Sequence, residues 1–165
     1  MDDRVEFVQE VPPEHRGAFD LVISQNAMEH FAEPLSILEI MYETLKPKGH
    51  AAITFSPPWL HPYGAHVSYF TPVPWVHLVF PEETVLRVRA RYRADGARRY
   101  DEVEGGLNKM TLKRFEQLTR ASRFALEECR YVAIKGLPFL SSIPLLREFV
   151  TSRVDCLLVK APEVA

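Results

Sequence analysis

Cysteine is scarce in this chain: Cys129 and Cys156 are its only two, and they lie far apart in sequence. Two such thiols exclude a disulfide-built scaffold and a CxxC metal site. They lead to the expectation of a reducing, cytoplasmic setting. Long apolar runs are absent too. The nearest approach, Leu137 to Leu146, is broken by Pro138 and Pro144, so no membrane span is expected. Met1-Asp2-Asp3-Arg4 is charged and leads into no long apolar stretch, so no signal peptide is expected. An excess of charge of one sign is also missing. Lys plus Arg number 20, Asp plus Glu 22, and the net charge is -2. That balance gives no general pull toward nucleic acid or an anionic surface, and neither is expected as a partner. Internal repeats and low-complexity tracts are not found.

What remains is ordinary globular material, 47% hydrophobic and 25% charged in 165 residues. Such a chain suits a single domain with its own core. Val5 to Val8 reads as a short strand, and Val11-Pro12-Pro13 then breaks regular structure. Phe19 to Ser24 is a β-branched apolar run, expected to be a strand buried on both faces of a parallel sheet. Pro34 stands at a helix start. Leu35, Leu38, Met41, Tyr42 and Leu45 then recur at helical spacing, and Pro47 and Gly49 end the helix. His50 to Phe55 reads as the next strand. Together these make a βαβ unit with parallel neighbours. Thr111 is expected to cap a helix carrying Leu112, Phe115 and Leu118. Ala125 to Ile134 and Ser152 to Val159 read as strands. Pro81-Glu82-Glu83 opens a stretch that also alternates like a strand; the acids at its start and Gly96 beyond it favour a helix. The expected division is residues 1–56, a proline- and aromatic-rich insert at 57–106, and a C-terminal part at 107–165.

Several of these pieces, in this order, carry a family resemblance. Phe19-Asp20-Leu21-Val22-Ile23-Ser24, Glu29-His30, Pro34 and Leu45-Lys46-Pro47-Lys48-Gly49 resemble the FDxVxS…EHxxxP…LKPGG stretch of class I S-adenosylmethionine-dependent methyltransferases. Leu107 to Tyr131 resembles the family's later helix and strand. The likeness covers roughly residues 4–56 and 107–160. It implies an α/β fold with a partial Rossmann-like sheet from the third strand onward, S-adenosylmethionine as cofactor, and methyl transfer to a small-molecule acceptor. Lys48 departs from the family's paired glycines. The family's ExGxGxG loop and its ribose-binding acid have no counterpart before Phe19. The chain is therefore expected to be N-terminally truncated relative to the family, lacking its first two strands and the glycine-rich loop, and to bind cofactor weakly or not at all. In the family the first strand lies beside the one matched by Phe19 to Ser24, so self-association through that exposed edge, or pairing with a partner subunit as a non-catalytic module, is the alternative expectation.

Methyl transfer from a sulfonium needs alignment and water exclusion more than a fixed nucleophile. By the resemblance, Ser24, Gln25 and Asn26 face the cofactor at the carboxyl end of a strand; as residues alone they are equally a polar turn. Glu10 is a cofactor candidate against adenine, or a solvated acid. His30 is a candidate base, or with Glu29 a structural start to the helix. Trp59, His61, Tyr63, His66 and Tyr69 suit an acceptor lid, with His66 a second catalytic candidate; the other reading is aromatic packing on the sheet. His61, His66 and His77 lack a metal-site spacing, and no metal is expected. Arg87 to Arg99 reads as a solvated basic face paired with Glu102 and Glu104, or as a grip on an anionic acceptor, and Pro138 to Phe149 as an inserted helix, or as a contact for an apolar acceptor.

Overall fold

A computed structural model describes residues 5–161. The charged start at residues 1–4 lies outside the described residues. The elements are β1 (Phe19–Gln25), α1 (Pro34–Thr44), β2 (Leu45–Phe55), α2 (Val76–Val79), α3 (Glu82–Arg89), α4 (Leu112–Ala121), β3 (Ala125–Ala133), α5 (Pro144–Val150) and β4 (Thr151–Val159). The four strands form one sheet in the order β1-β2-β4-β3. β1 and β2 run parallel, joined by α1. β4 runs antiparallel to both β2 and β3. The expected βαβ unit is therefore present.

One face of the sheet is covered. Pro34 occupies the first turn of α1, where its missing N–H costs nothing. Leu38, Met41 and Tyr42 then fall on one side and bury against Ile53, Phe55, Val154 and Leu158. α4 adds Leu112 and Phe115, whose ring meets Phe55 at 5.0 Å. Its start is fixed as expected: the Thr111 hydroxyl accepts from Arg114 N–H at 3.0 Å. Glu148 of α5 also accepts from the N–H groups of Leu112 and Lys113, at 3.0 and 2.8 Å. A carboxylate there meets the positive end of the helix and docks α5 onto α4.

The opposite face has no helix packed on it among the described residues. Ala52, Thr54, Asp155 and Leu157 stay half-buried there, and on β1 Leu21 and Ile23 are 49% and 66% exposed. The expectation that Phe19 to Ser24 is buried on both faces is thus corrected. Continuous apolar composition marks a strand that can be sandwiched, but burial needs a second layer. Val5 to Gln9 is not a strand either. It runs as exposed irregular backbone, and among the described residues β1 has a ladder partner only on the β2 side. β2 starts earlier than His50, at Leu45. Pro47 is tolerated where the register with β1 slips between Phe19 and Leu21. Lys48 adopts φ 67°, the conformation that suits glycine.

The insert forms its own small cluster. Val67, Val76, Val85, Leu86, Tyr100 and Leu107 bury together, with Trp59 and Phe70 against them. α3 confirms the helical reading of the arginine-rich stretch, though its ion pairs differ from those expected. Arg89 is buried and pairs with Asp95 at 2.5 Å, and Arg99 pairs with Asp101 at 2.9 Å. Pro138 to Phe149, read as one inserted helix, divides into a short 3-10 turn (Pro138–Ser142) and α5.

Candidate active site

The carboxyl ends of β1 and β2 lie side by side and hold three predicted residues. Ser24 and Gln25 close β1, and Asn26 follows in a left-handed conformation, φ 49°. The Asn26 N–H donates to Thr54 O at 2.8 Å, tying the turn to β2. Ser24 is buried and its hydroxyl has no partner. Glu29 is buried beside this turn. Its Oε1 accepts from the Ser56 N–H at 3.2 Å, and Oε2 has no partner. Burial raises its pKa, opposed by the backbone N–H groups that it accepts from.

The next residue, His30, is fixed by the loop before α4. Its Nδ1 lies 2.7 Å from Gly106 O. A carbonyl only accepts, so Nδ1 carries a proton, and in the neutral ring the lone pair is left on Nε2. Asn108 clamps the same segment, its amide donating to Met28 O and Phe31 O at 2.7 Å each. The two glycines of this loop are needed for shape: Gly105 and Gly106 have φ 83° and 67°. Neither Asn108 nor Gly106 stood out as a site residue in the sequence. The doubled glycine was the one available signal.

His66 meets His30 edge-on, ring centroids 5.4 Å apart. Its Nε2 is buried without a partner, and burial pushes its pKa down to about 4, with smaller contributions from His30 and His61. The imidazole is therefore neutral at neutral pH. His30, His66, Tyr69, Arg89, Tyr100 and Glu104 line one cavity of about 200 Å³. The Arg93 guanidinium lies 5.1 Å over the Tyr69 ring at its edge. Tyr100 is buried with its hydroxyl unpartnered.

The other predicted lid residues mainly pack among themselves. Trp59 meets His77 and Tyr100 edge-on at 4.7 and 4.9 Å, and its carbonyl accepts from His77 Nε2 at 2.7 Å. His61 Nδ1 accepts from the Tyr63 N–H at 3.1 Å, and the Tyr63 hydroxyl donates to Pro72 O at 3.0 Å. Burial lowers the pKa of His61 and of His77. Glu10 is not brought to this site. It is exposed beside Arg16, Glu43 and Thr44, at the amino end of β1, whereas Ser24 to Asn26 close its carboxyl end. Among the described residues no three His, Cys, Asp or Glu side chains gather as metal ligands, and no helix is long and apolar enough to cross a membrane.

Residues 3–53 match the methyltransferase domain family. The fold around them agrees. The chain has a class I methyltransferase fold. An S-adenosylmethionine-dependent methyltransferase from Mesorhizobium loti superposes with a TM-score of 0.51 at 13% identity, over 87% of this chain and 63% of that one. A chain from the complex of the Haloferax volcanii Trm112 methyltransferase activator with a protein described as a methyltransferase gives 0.51 at 11%, over 91% and 57%. The [4+2]-cyclase SpnF gives 0.50 at 12%, over 92% and 53%. This methyltransferase-fold chain thus spans 53% to 63% of the length of those three. None of the curated proteins matches it in sequence. Of the three structures, the Mesorhizobium loti protein is named as S-adenosylmethionine dependent. The cyclase shows that the same fold carries another named reaction, so the site must argue the chemistry.

Proposed function

We propose that this chain contributes the methionine-side and acceptor-side part of an S-adenosylmethionine-dependent methyl-transfer site acting on a small molecule. The observation that supports this most is the buried pair Ser24 and Glu29, each with an unpartnered oxygen, at the carboxyl ends of two parallel strands. Ligands bind there in open α/β sheets, and residues 3–53, which contain the pair, match the methyltransferase domain family.

The residues present fit one part of the cofactor's site. Ser24, Gln25 and Asn26 would hold its methionine end, and no Gly-x-Gly-x-Gly loop occurs in the sequence to cradle the rest. When bound, the sulfonium supplies an already activated methyl group. The chain's own residues then orient the acceptor and manage its proton. His30 presents the Nε2 lone pair as proton acceptor, because Gly106 O holds its Nδ1–H. His66 and Tyr69 line the cavity in which a small acceptor would lie, and Trp59, His61 and Tyr63 brace that wall. Glu10, at the far end of β1, is left as a surface acid in this reading.

Calorimetric titration with S-adenosylmethionine tests it. The expected result is weak heat that vanishes in Ser24→Ala and Asn26→Ala; no heat at millimolar cofactor overturns activity for this chain.

A second reading rests on a different observation. β1 exposes Leu21 and Ile23 and, among the described residues, is hydrogen-bonded to β2 alone. An apolar edge of that kind is a template for strand pairing, which favours a module that associates with a second copy or a partner subunit. Light scattering on a size-exclusion column decides: association abolished by Ile23→Lys supports it, and a stable monomer counts against it.

A further inference from the structure

The two cysteines, remote in sequence, are opposite neighbours in the sheet. Cys129 of β3 is in register with Cys156 of β4. Directly opposed antiparallel residues have Cα atoms about 4.5–5.5 Å apart, inside the range of about 4.4–6.8 Å that disulfides span. Opposed residues also point to the same face, so the register places the two thiols beside each other. Both are free.

Both thiols line a cavity of about 620 Å³ between α4, β3 and α5. The two differ in access: Cys129 is half-buried, Cys156 almost wholly buried. Charged and polar groups meet at the mouth. Arg147 of α5 pairs with Glu116 of α4 at 3.0 Å and lies 4.4 Å over the Tyr131 ring. The Tyr131 hydroxyl donates to Glu116 at 2.7 Å. Volume, access and a paired thiol thus coincide at one place.

We propose that Cys129 and Cys156 form a reversible dithiol–disulfide site that exchanges with a small-molecule disulfide entering this cavity. Cys129 is the attacking thiolate. The adjoining Cys156 thiol holds its pKa down to about 7, with smaller help from Tyr131 and Arg147, while the same neighbour and burial push Cys156 up. Cys129 attacks one sulfur of the incoming disulfide, whose S–S bond breaks. One thiol leaves with the electron pair and takes up a proton, and a mixed disulfide remains on Cys129. Cys156 then gives up its proton and attacks the Cys129 sulfur, releasing the second thiol. The chain's dithiol is oxidised by two electrons and the small disulfide is reduced to two thiols. Excess thiol reverses both steps. The closed bond staples β3 to β4 and consumes the cavity's nucleophile.

The test uses the full chain and glutathione disulfide, read by intact mass after alkylation of remaining thiols. The wild type should lose both free thiols, keep no glutathione and melt at a higher temperature until dithiothreitol is added. Cys156→Ser should retain one glutathione on Cys129, and Cys129→Ser should stay unmodified. A wild type that keeps both thiols, holds glutathione on Cys129 with Cys156 still free, or links between chains overturns the proposal. Should either variant fail to fold, a non-reducing peptide map of wild type treated with oxidised dithiothreitol decides alone. A linked peptide pair containing residues 129 and 156 supports the site, and its absence sinks it.

Discussion

The sheet with α1 and α4 and the insert between β2 and α4 are built on different terms. The sheet unit buries aliphatic and aromatic side chains against one another, Phe55 on Phe115 and Leu38 beside Ile53. The insert also buries apolar side chains, but mixes into them buried His77, Arg89 and Tyr100 and half-buried His66. Three of these four leave a buried polar atom unpartnered: His66 Nε2, His77 Nδ1 and the Tyr100 hydroxyl. Packing of the first kind rewards rigidity. Orphaned polar atoms are costly; in the sheet unit they are confined to the strand ends, at Ser24 and Glu29, whereas in the insert those of His66 and Tyr100 share a cavity with His30, where a ligand would relieve them.

Both tryptophans, Trp59 and Trp75, lie in the insert. Tryptophan fluorescence therefore reports that region, and far-ultraviolet circular dichroism reports the sheet and helices. The largest expected effect is Phe115→Ala, which should cost about 3–5 kcal/mol and lower both transitions together, measured by urea unfolding. Gly64→Ala should separate them. A Cβ there would sit 2.0 Å from Trp59 O, so the fluorescence transition should weaken by about 3 kcal/mol with little change in dichroism. Coincident loss by both probes would show that the two regions unfold as one.

Acidity probes the same contrast. The folded pKa of His66 is lowered from 6.5 to about 4, so the folded state binds that proton less readily than the unfolded chain. Stability is full above pH 6.5 and is lost as pH falls toward 4, by about 2 kcal/mol after solvent screening. His66→Gln should flatten that slope in the fluorescence transition. Glu29, in the sheet unit, has its pKa raised, so its contribution has the opposite sign: stability is lost as pH rises through the raised value. Glu29→Gln should remove that loss. The smallest effect belongs to the sheet. Lys48→Gly relieves a left-handed residue and should stabilise by about 0.5–1 kcal/mol in the dichroism transition.

The βαβ unit and the start of α4 were legible because their signals are local: Pro34, the helical spacing of Leu38, Met41 and Tyr42, and the Thr111 cap each act within a turn or two. The site was legible in part. Ser24 to Asn26 could be placed because a strand's end is visible in sequence. The His30–Gly106 bond and the Asn108 clamp join residues more than 70 positions apart, and no pattern announces them. The same holds for the cysteine pair, which depends on the register of β3 against β4. Pro47 and Gly49 misled for the converse reason. They end α1 as read, but a slip in the ladder lets β2 run through them.

β4 comes last of the strands in chain order and sits inside the sheet, between β2 and β3. During synthesis, β3 has no strand to pair with until residues 151–159 have left the ribosome. Until then the nascent chain holds a β1–β2 pair and a loose apolar strand. A pause or stall before Thr151 would expose both to chaperones and proteases, so codon choice near that point should influence yield more than codon choice within α1.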